Sequence, residues 1–336
     1  MSNTVNVQEI KAELDEHIHK NTSVIATGVY NSKVQLDQYC RTISKINGKY
    51  PQFHKIMTHV VQGFKAEWQA MGAMQFNAKI HQDFRQKVNL PIIVDNIYNT
   101  WLSYLAVEGK KPAEQPLTKM IIKELLEKVI DDLSELSVTG YFDPAKAAGE
   151  FGYSLDGIAS VITKNLTNEK YPFFKIPIDV ITDANILDQF KAYERSIPSK
   201  VRKRIEYVFM SPDMKVRYGD AFVEKYGTHT NFDDARKSKT ETFGFEIVGL
   251  EGLPDGIIFS TVKDNMLKLV DVIDGKPKIT DTQIQDYVLK IFLEFHLGYD
   301  FAINQLVFVA DFSGTAFKGL GNAKMNELYY SSEKLN

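Results

Sequence analysis

The sequence predicts an α+β fold, and three observations predict it. One long segment, PLTKMIIKELLEKVIDDLSEL (116–136), repeats its apolar residues at helical spacing. Short runs rich in β-branched and aromatic residues gather late in the chain, between 245 and 312. Helical and extended segments interleave without the regular strand–helix alternation of a doubly wound sheet. The 336 residues, 44% hydrophobic and 25% charged, suffice for one large core or two modest ones and exclude disorder as the dominant state.

The elements follow in order. VQEIKAELDEHIH (7–19) spaces Val7, Ile10, Leu14 and Ile18 as a short amphipathic helix. Its narrow stripe suits a neighbouring surface as well as its own core. Val88, Leu90, Ile92 and Val94 alternate as a strand, and Pro91 confines it to a sheet edge or a projecting hairpin, because proline donates nothing to a ladder. EGKKPAEQP (108–116) breaks the chain. The long helix then starts on Pro116 and buries Leu117, Met120, Ile121, Leu125, Val129, Leu133 and Leu136. Charges four apart (Lys123 and Glu127, Glu124 and Lys128, Lys128 and Asp132) support its outer face. At about 1.5 Å per residue it is a rod of about 30 Å, fit to lie along a sheet.

AAGEFGYSLDG (147–157) reads as loop and YPFFKIPIDV (171–180) as a proline-punctuated strand. Asp183 is expected to cap a helix through Ile186, Leu187, Phe190 and Tyr193 that stops before Pro198. Ile205, Tyr207 and Phe209 alternate in a strand that runs into Ser211-Pro212-Asp213, a helix start with N-cap, first-turn proline and dipole-matched acid. Met214, Tyr218, Ala221, Phe222 and Tyr226 form that helix's stripe, and Gly227 ends it. A polar loop (229–243) precedes strands at 245–250, 256–261 and 266–271, and residues 287–312 read as a long strand, a bend at Gly298 and a second strand. The long helix and the C-terminal strands are expected to share one core, with 172–278 as a second subdomain.

Chemistry is sparse. With 40 basic against 43 acidic residues, the net charge of −3 gives no global pull toward nucleic acid or an anionic membrane. A single cysteine, Cys40, excludes an internal disulfide and a multi-cysteine metal site and fits a reducing compartment. No leader pattern opens the chain and no apolar run nears the ~20 residues of a membrane span, so a soluble, unexported protein is expected. Phosphate-loop, dinucleotide, nucleophile-elbow and zinc-helix motifs are absent from the sequence. The seven histidines lack ligand spacing. Asp131-Asp132 and Asp233-Asp234 read as solvated pairs. SKVRKR (199–204) is the densest basic run, read as a solvated loop or an inter-subunit ion-pair surface before an anion site. Trp68, Met71, Met74 and Phe76 read as an interface or a packed helix end rather than a ligand box. No catalytic residue, cofactor or metal is expected; the alternative is a soluble enzyme or ligand-binding protein with a dispersed site.

YVFMSPDMKVRYGDAFVEKYG (207–227) followed by EIVGLEGLPDGIIFSTVKDNMLKLVD (246–271) resembles the later half of tailed-bacteriophage major capsid proteins, above all the crAss-like and related phages of Bacteroidetes hosts. The matching phrases are Val208 to Pro212, Gly252 to Pro254 and Ile258 to Asn265, closed by Asp271. The resemblance implies a tailed-phage major capsid fold: an N-terminal arm (1–50), an extended loop (51–100), a peripheral domain (101–171 and 279–336) around a spine helix (116–136), and an axial domain (172–278). It implies self-assembly as pentamers and hexamers into an icosahedral virion head built in the host bacterial cytoplasm. Portal, scaffold and decoration proteins would be partners, as would double-stranded DNA held without sequence preference; no membrane is involved. A nanocompartment shell of the same fold is the other reading. Candidate assembly residues are Ile10, Leu14, Ile18, Leu90, Ile92, Val94, Arg202 and Arg204. Some members of the lineage crosslink subunits between lysine and asparagine. Lys79 and Lys87 fall in the donor region, but no acceptor is marked and crosslinking is not expected.

Overall fold

The computed structural model describes residues 7–30, 34–44, 46, 48–93, 101, 117–227, 238–272, 277–286, 288–314, 317–333 and 335. The 108–116 break, Pro116, Val94 and most of the polar loop after Gly227 lie outside them. The first helix, α1 (Val7–Tyr30), extends past the expected end at 19 and kinks at Asn21. There Asn21 Nδ2 donates to the His17 carbonyl (2.8 Å) and Thr22 Oγ1 to that of Ile18 (2.9 Å). Such back-bonding bends a helix without ending it. The long helix, α2 (Leu117–Thr139), buries the stripe expected of it, with Leu117, Ile121, Leu125, Val129, Leu133 and Leu136 inward. On its outer face Lys128 pairs with Asp132 at 2.6 Å.

Two five-stranded sheets carry the body. In the first, β11 (Val288–Phe301) is the axis. Antiparallel β4 (Phe84–Ile93) runs along one side from Val288 to Leu297. Along the other side lie β10 (Lys278–Gln285) and then β9 (Met266–Val270), which β1 (Arg41–Ile43) extends in parallel. Pro91 thus sits on β4, an edge strand among the described residues, where proline is best tolerated in a sheet. The bend expected at Gly298 is not there: β11 runs through it unbroken to Phe301, leaving β4 at Leu297 and continuing against β9, and the break before the next strand falls at 302–306. Glycine is needed at 298, since a Cβ would lie 2.7 Å from the Gln82 carbonyl oxygen.

The second sheet has the order β5-β12-β8-β6-β7: β5 (Phe174–Pro177), β12 (Val307–Asp311), β8 (Phe259–Val262), β6 (Ile205–Met210) and β7 (Glu246–Gly249). Both of its faces are buried. Phe209, Phe259, Val307 and Val309 enter the core shared with α1, α2, α3 (Ile158–Asn165) and the first sheet. Val208, Met210, Ile258, Phe308 and Ala310 enter a second core. That core is covered by α4 (Ile186–Ser196), the short α5 (Ser199–Arg202), α6 (Pro212–Tyr226) and α7 (Ala323–Tyr330). Alternation along one strand thus binds two cores into one body. The sheets do not divide the chain at 278: β9 belongs to the first sheet, while β12 and α7 return to the second.

Local signals hold at the strand-to-helix joint. Ser211 Oγ accepts the Met214 N–H at 3.1 Å, Pro212 opens α6 and Gly227 closes it at φ 77°. Asp183 does not cap α4. It pairs with Arg217 Nε (2.7 Å), and Asn185 precedes the helix.

Candidate assembly surfaces

β2 (Lys49–Met57) and β3 (Met74–Gln82) form a separate two-stranded hairpin. Its polarity is inverted. Gln52, His54, Asn77, Lys79 and His81 face the body, whereas Phe53, Met57, Met74, Phe76 and Ile80 face outward. Phe53 is 70% exposed, Phe76 65% and Ile80 65%. The register sets Pro51 opposite Ile80, Phe53 opposite Ala78, Lys55 opposite Phe76 and Met57 opposite Met74, so the outward face is largely apolar, with Lys55 set among the apolar side chains. Beyond the ladder, Phe64 is 98% and Trp68 90% exposed. Large exposed apolar side chains gathered in this way mark a candidate interaction surface.

The inward face is held by polar groups. Lys79 Nζ donates to Asp300 Oδ1 (2.6 Å), the Phe301 carbonyl (2.7 Å) and Asn304 Oδ1 (2.7 Å). His81 Nδ1 meets Asp300 Oδ2 at 2.6 Å, and its Nε2 lies 3.1 Å from Gln52 Oε1. Burial pushes the Asp300 carboxyl up, but Lys79 and His81 outweigh it and hold the group below the usual carboxylate range. Farther out, His54 Nε2 lies 2.7 Å from Tyr329 Oη of α7, and Asn77 Nδ2 donates to the same hydroxyl at 3.1 Å. Burial pushes His54 below its ordinary pKa. His59 Nε2 reaches Ser331 Oγ at 3.0 Å, so three of the seven histidines of the chain fix this hairpin.

A second lock uses the opposite face of β11. Tyr299 Oη donates to Asp37 Oδ1 (3.1 Å), whose other oxygen takes Lys268 Nζ (2.5 Å). Lys268 also donates to the Tyr30 carbonyl at 2.8 Å, tying the end of α1 to the first sheet. Burial raises the Asp37 carboxyl, against the pull of Lys268.

The candidate assembly residues fall differently. Leu14 is fully buried, and Ile10 and Ile18 pack half-buried on the same core, so the stripe of α1 is spent within its own chain. Asp15 binds Thr282 of β10 alongside them. Ile92 is buried and Leu90 half-buried in that core too. The projecting element is therefore 49–82 rather than the segment around Leu90 and Ile92, whose apolar side faces the body; Val94 lies outside the described residues. Arg202 stacks its guanidinium 4.2 Å over Phe243 and donates through Nη2 to the Arg195 (3.1 Å) and Ile197 (2.6 Å) carbonyls. Arg204 is exposed. Of the two donor-region lysines, Lys79 is buried in its lock and Lys87 is exposed. The hairpin signal was present in the sequence: MQFNAKIHQ (74–82) alternates without a break. Periodicity marks the strand but not which face turns inward.

Among the described residues no group of three or more His, Cys, Asp or Glu side chains is placed to hold a metal ion. No described helix is long and apolar enough to cross a membrane.

No protein-family model and no curated protein sequence matches the chain. Solved structures do. A chain from the capsid of a native GTA particle superposes with TM-score 0.55 at 10% identity, covering 84% of this chain and 97% of that one. The cyanophage A-1(L) capsid gives 0.54 at 14% identity, with 83% and 92% covered. The procapsid of satellite phage P4, solved with its size determination (Sid) protein, gives 0.52 at 8% identity, with 87% and 99% covered. The chain has the tailed-phage major capsid fold.

Proposed function

We propose that this chain is a major capsid protein that assembles as pentamers and hexamers into the icosahedral head of a tailed phage. The observation that carries the reading is the inverted hairpin. Its inward face is held by a polar lock, and its outward face carries Phe53, Met57, Met74, Phe76 and Ile80, open to a second subunit. The fold supports the same reading, since chains of this shape stand in the GTA, P4 and cyanophage capsids.

In this reading the work is quaternary geometry. Residues 1–50 are the arm, 51–100 the extended loop, whose first part is the 49–82 hairpin, and α2 the spine. The 172–278 region supplies most of the axial part, with β12 and α7 joining it from outside and β9 leaving it for the first sheet, and the segments on either side form the peripheral part. The basic 199–204 run, with Arg204 exposed, joins the inter-subunit surface. Leu14 and Ile92 act indirectly, by fixing α1 and β4 beneath the surfaces that meet. Portal, scaffold and genome are the remaining partners, and the near-neutral net charge of −3 suits a shell that encloses DNA without gripping it.

Electron microscopy of the purified protein, alone and co-expressed with its scaffold, tests the proposal. Closed shells, tubes or sheets of hexamers are expected. A species that stays monomeric at high concentration with the scaffold present overturns it.

A further inference from the structure

We propose that Glu194 is an acid-sensitive latch on the strap 238–245: ionised, its carboxylate clasps the strap to α4, and protonated, it lets the strap go. The latch stands apart from the shell reading. The strap leads into β7 and wraps a carboxyl group that is fully buried. Glu194 Oε1 accepts the Thr240 hydroxyl and, at 3.3 Å, the Phe243 N–H, while Oε2 accepts the Thr242 N–H at 3.1 Å. The Thr240 hydroxyl in turn accepts the Phe245 N–H at 2.9 Å, and the Thr240 N–H donates to the Phe245 carbonyl at 2.8 Å. Gly244, at φ 71°, closes the turn. The turn is therefore folded round one carboxylate by three donors that all belong to the strap.

The clasp lacks a counter-ion. Among the described residues no lysine, arginine or histidine forms an ion pair with Glu194. The lysines beside it serve Glu241 of the strap instead: Lys191 Nζ stands 2.5 Å from that carboxylate and Lys225 Nζ 3.9 Å. Of the other ionisable groups around it, Tyr193 of α4 donates to Ser260 and the Phe308 carbonyl, Tyr218 of α6 is a buried phenol, and Arg202 of α5 lies over the Phe243 ring. Burial therefore pushes Glu194 above its ordinary 4.5, against the pull of the Thr240, Thr242 and Phe243 donors. On protonation one oxygen turns from acceptor to donor, and the strap group bonded to it is set hydrogen against hydrogen. The strap gives way rather than α4, because Phe243 and Gly244 border solvent and their amides can turn to water. Global stability moves the other way. A carboxyl with a raised folded value adds stability that is present below 4.5 and lost as pH rises through the folded value, so opening the latch in acid does not weaken the fold. Release of the strap also takes Phe243 from under Arg202 and loosens the basic 199–204 run.

Amide hydrogen exchange of the full chain tests the latch, read on peptides spanning 238–247 and corrected for the intrinsic pH dependence of exchange. Between pH 7.5 and 4.5 protection of the strap should fall at least about tenfold more than protection of β6 and β8. Glu194→Gln, which has the shape of the neutral acid, should show the acid level of exchange at pH 7.5 and no further drop. Glu241→Gln, next to the clasp but outside it, should keep the parent's pH response. A strap whose protection falls only in step with β6 and β8 overturns the latch, as does a Glu194→Gln chain that protects the strap as the parent does at pH 7.5. A Glu241→Gln chain that loses the response moves it to the lysine pair and overturns the assignment to Glu194. Each of these results leaves the shell reading standing.

Discussion

The β2–β3 hairpin and β4 follow each other along the chain with only Asp83 between β3 and β4, and both alternate polar and apolar residues. They face opposite ways. In β4 the apolar positions Val88, Leu90 and Ile92 turn toward the core, and Arg85, Lys87 and Asn89 turn to solvent. In β3 the polar positions Asn77, Lys79 and His81 turn inward, and Phe76 and Ile80 turn out. The hinge between the two is where Gln82 crosses Gly298, the point at which β11 leaves β4 for β9. A strand that buries its apolar face finishes its folding within the chain. A strand that buries its polar face instead keeps its hydrophobic surface for association, and needs ion pairs to stay in place meanwhile.

The largest effect should come from removing the polar lock. Asp300→Ala leaves the buried Lys79 ammonium and His81 without their shared carboxylate. Breaking one partner of a buried pair typically costs about 3–5 kcal/mol, which urea denaturation would register. The lock also sets a pH dependence. His54, held below its ordinary 6.5, adds stability present above that value and lost as pH falls. Asp300, held below 3.8, adds stability present above that value and lost as pH falls through its folded value. The urea midpoint should therefore drop first below pH 6.5 and again below 3.8, and His54→Phe should remove the first drop. A midpoint flat between pH 7.5 and 5.5 in the parent would contradict the His54 role.

The next effect belongs to β4. Ile92→Ala removes a buried side chain from the core shared with Leu289 and Ile291, and should cost about 2–5 kcal/mol with no pH dependence of its own. A loss under about 1 kcal/mol would mean that β4 is loosely seated and that the contrast with the hairpin is false.

How much of this was legible depends on whether the deciding neighbour is close in sequence. The stripe of α2 and the Ser211-Pro212 cap came through residue by residue, because helical periodicity and capping are local physics. The edge placement of Pro91 followed from its missing donor. The extension of α1 past Asn21 did not, since its second half turns Ile25 and Val29 toward a core built by distant segments. The sheet partners of β9 and β12 were hidden for the same reason. Most telling is MQFNAKIHQ: its period names a strand at once, but its orientation depends on Asp300 and Asn304, more than 200 residues later.

The smallest effect on stability should come from the hairpin's outer face, and it is the sharpest test of the contrast. Phe53→Ser with Phe76→Ser removes two large exposed side chains that are not cross-strand partners, since Phe53 faces Ala78 and Phe76 faces Lys55. Unfolding of the isolated chain should move by no more than about 0.5 kcal/mol, as for other surface substitutions. Assembly should fail in the same variant, measured by sedimentation beside the parent. If instead the pair destabilises the monomer as Ile92→Ala does, the outward face is already covered within the chain and the hairpin is ordinary core. If stability and assembly are both unchanged, the apolar face is idle and the hairpin is not the joining element. Only an unchanged fold with lost association fits a strand whose hydrophobic face is kept for a neighbour.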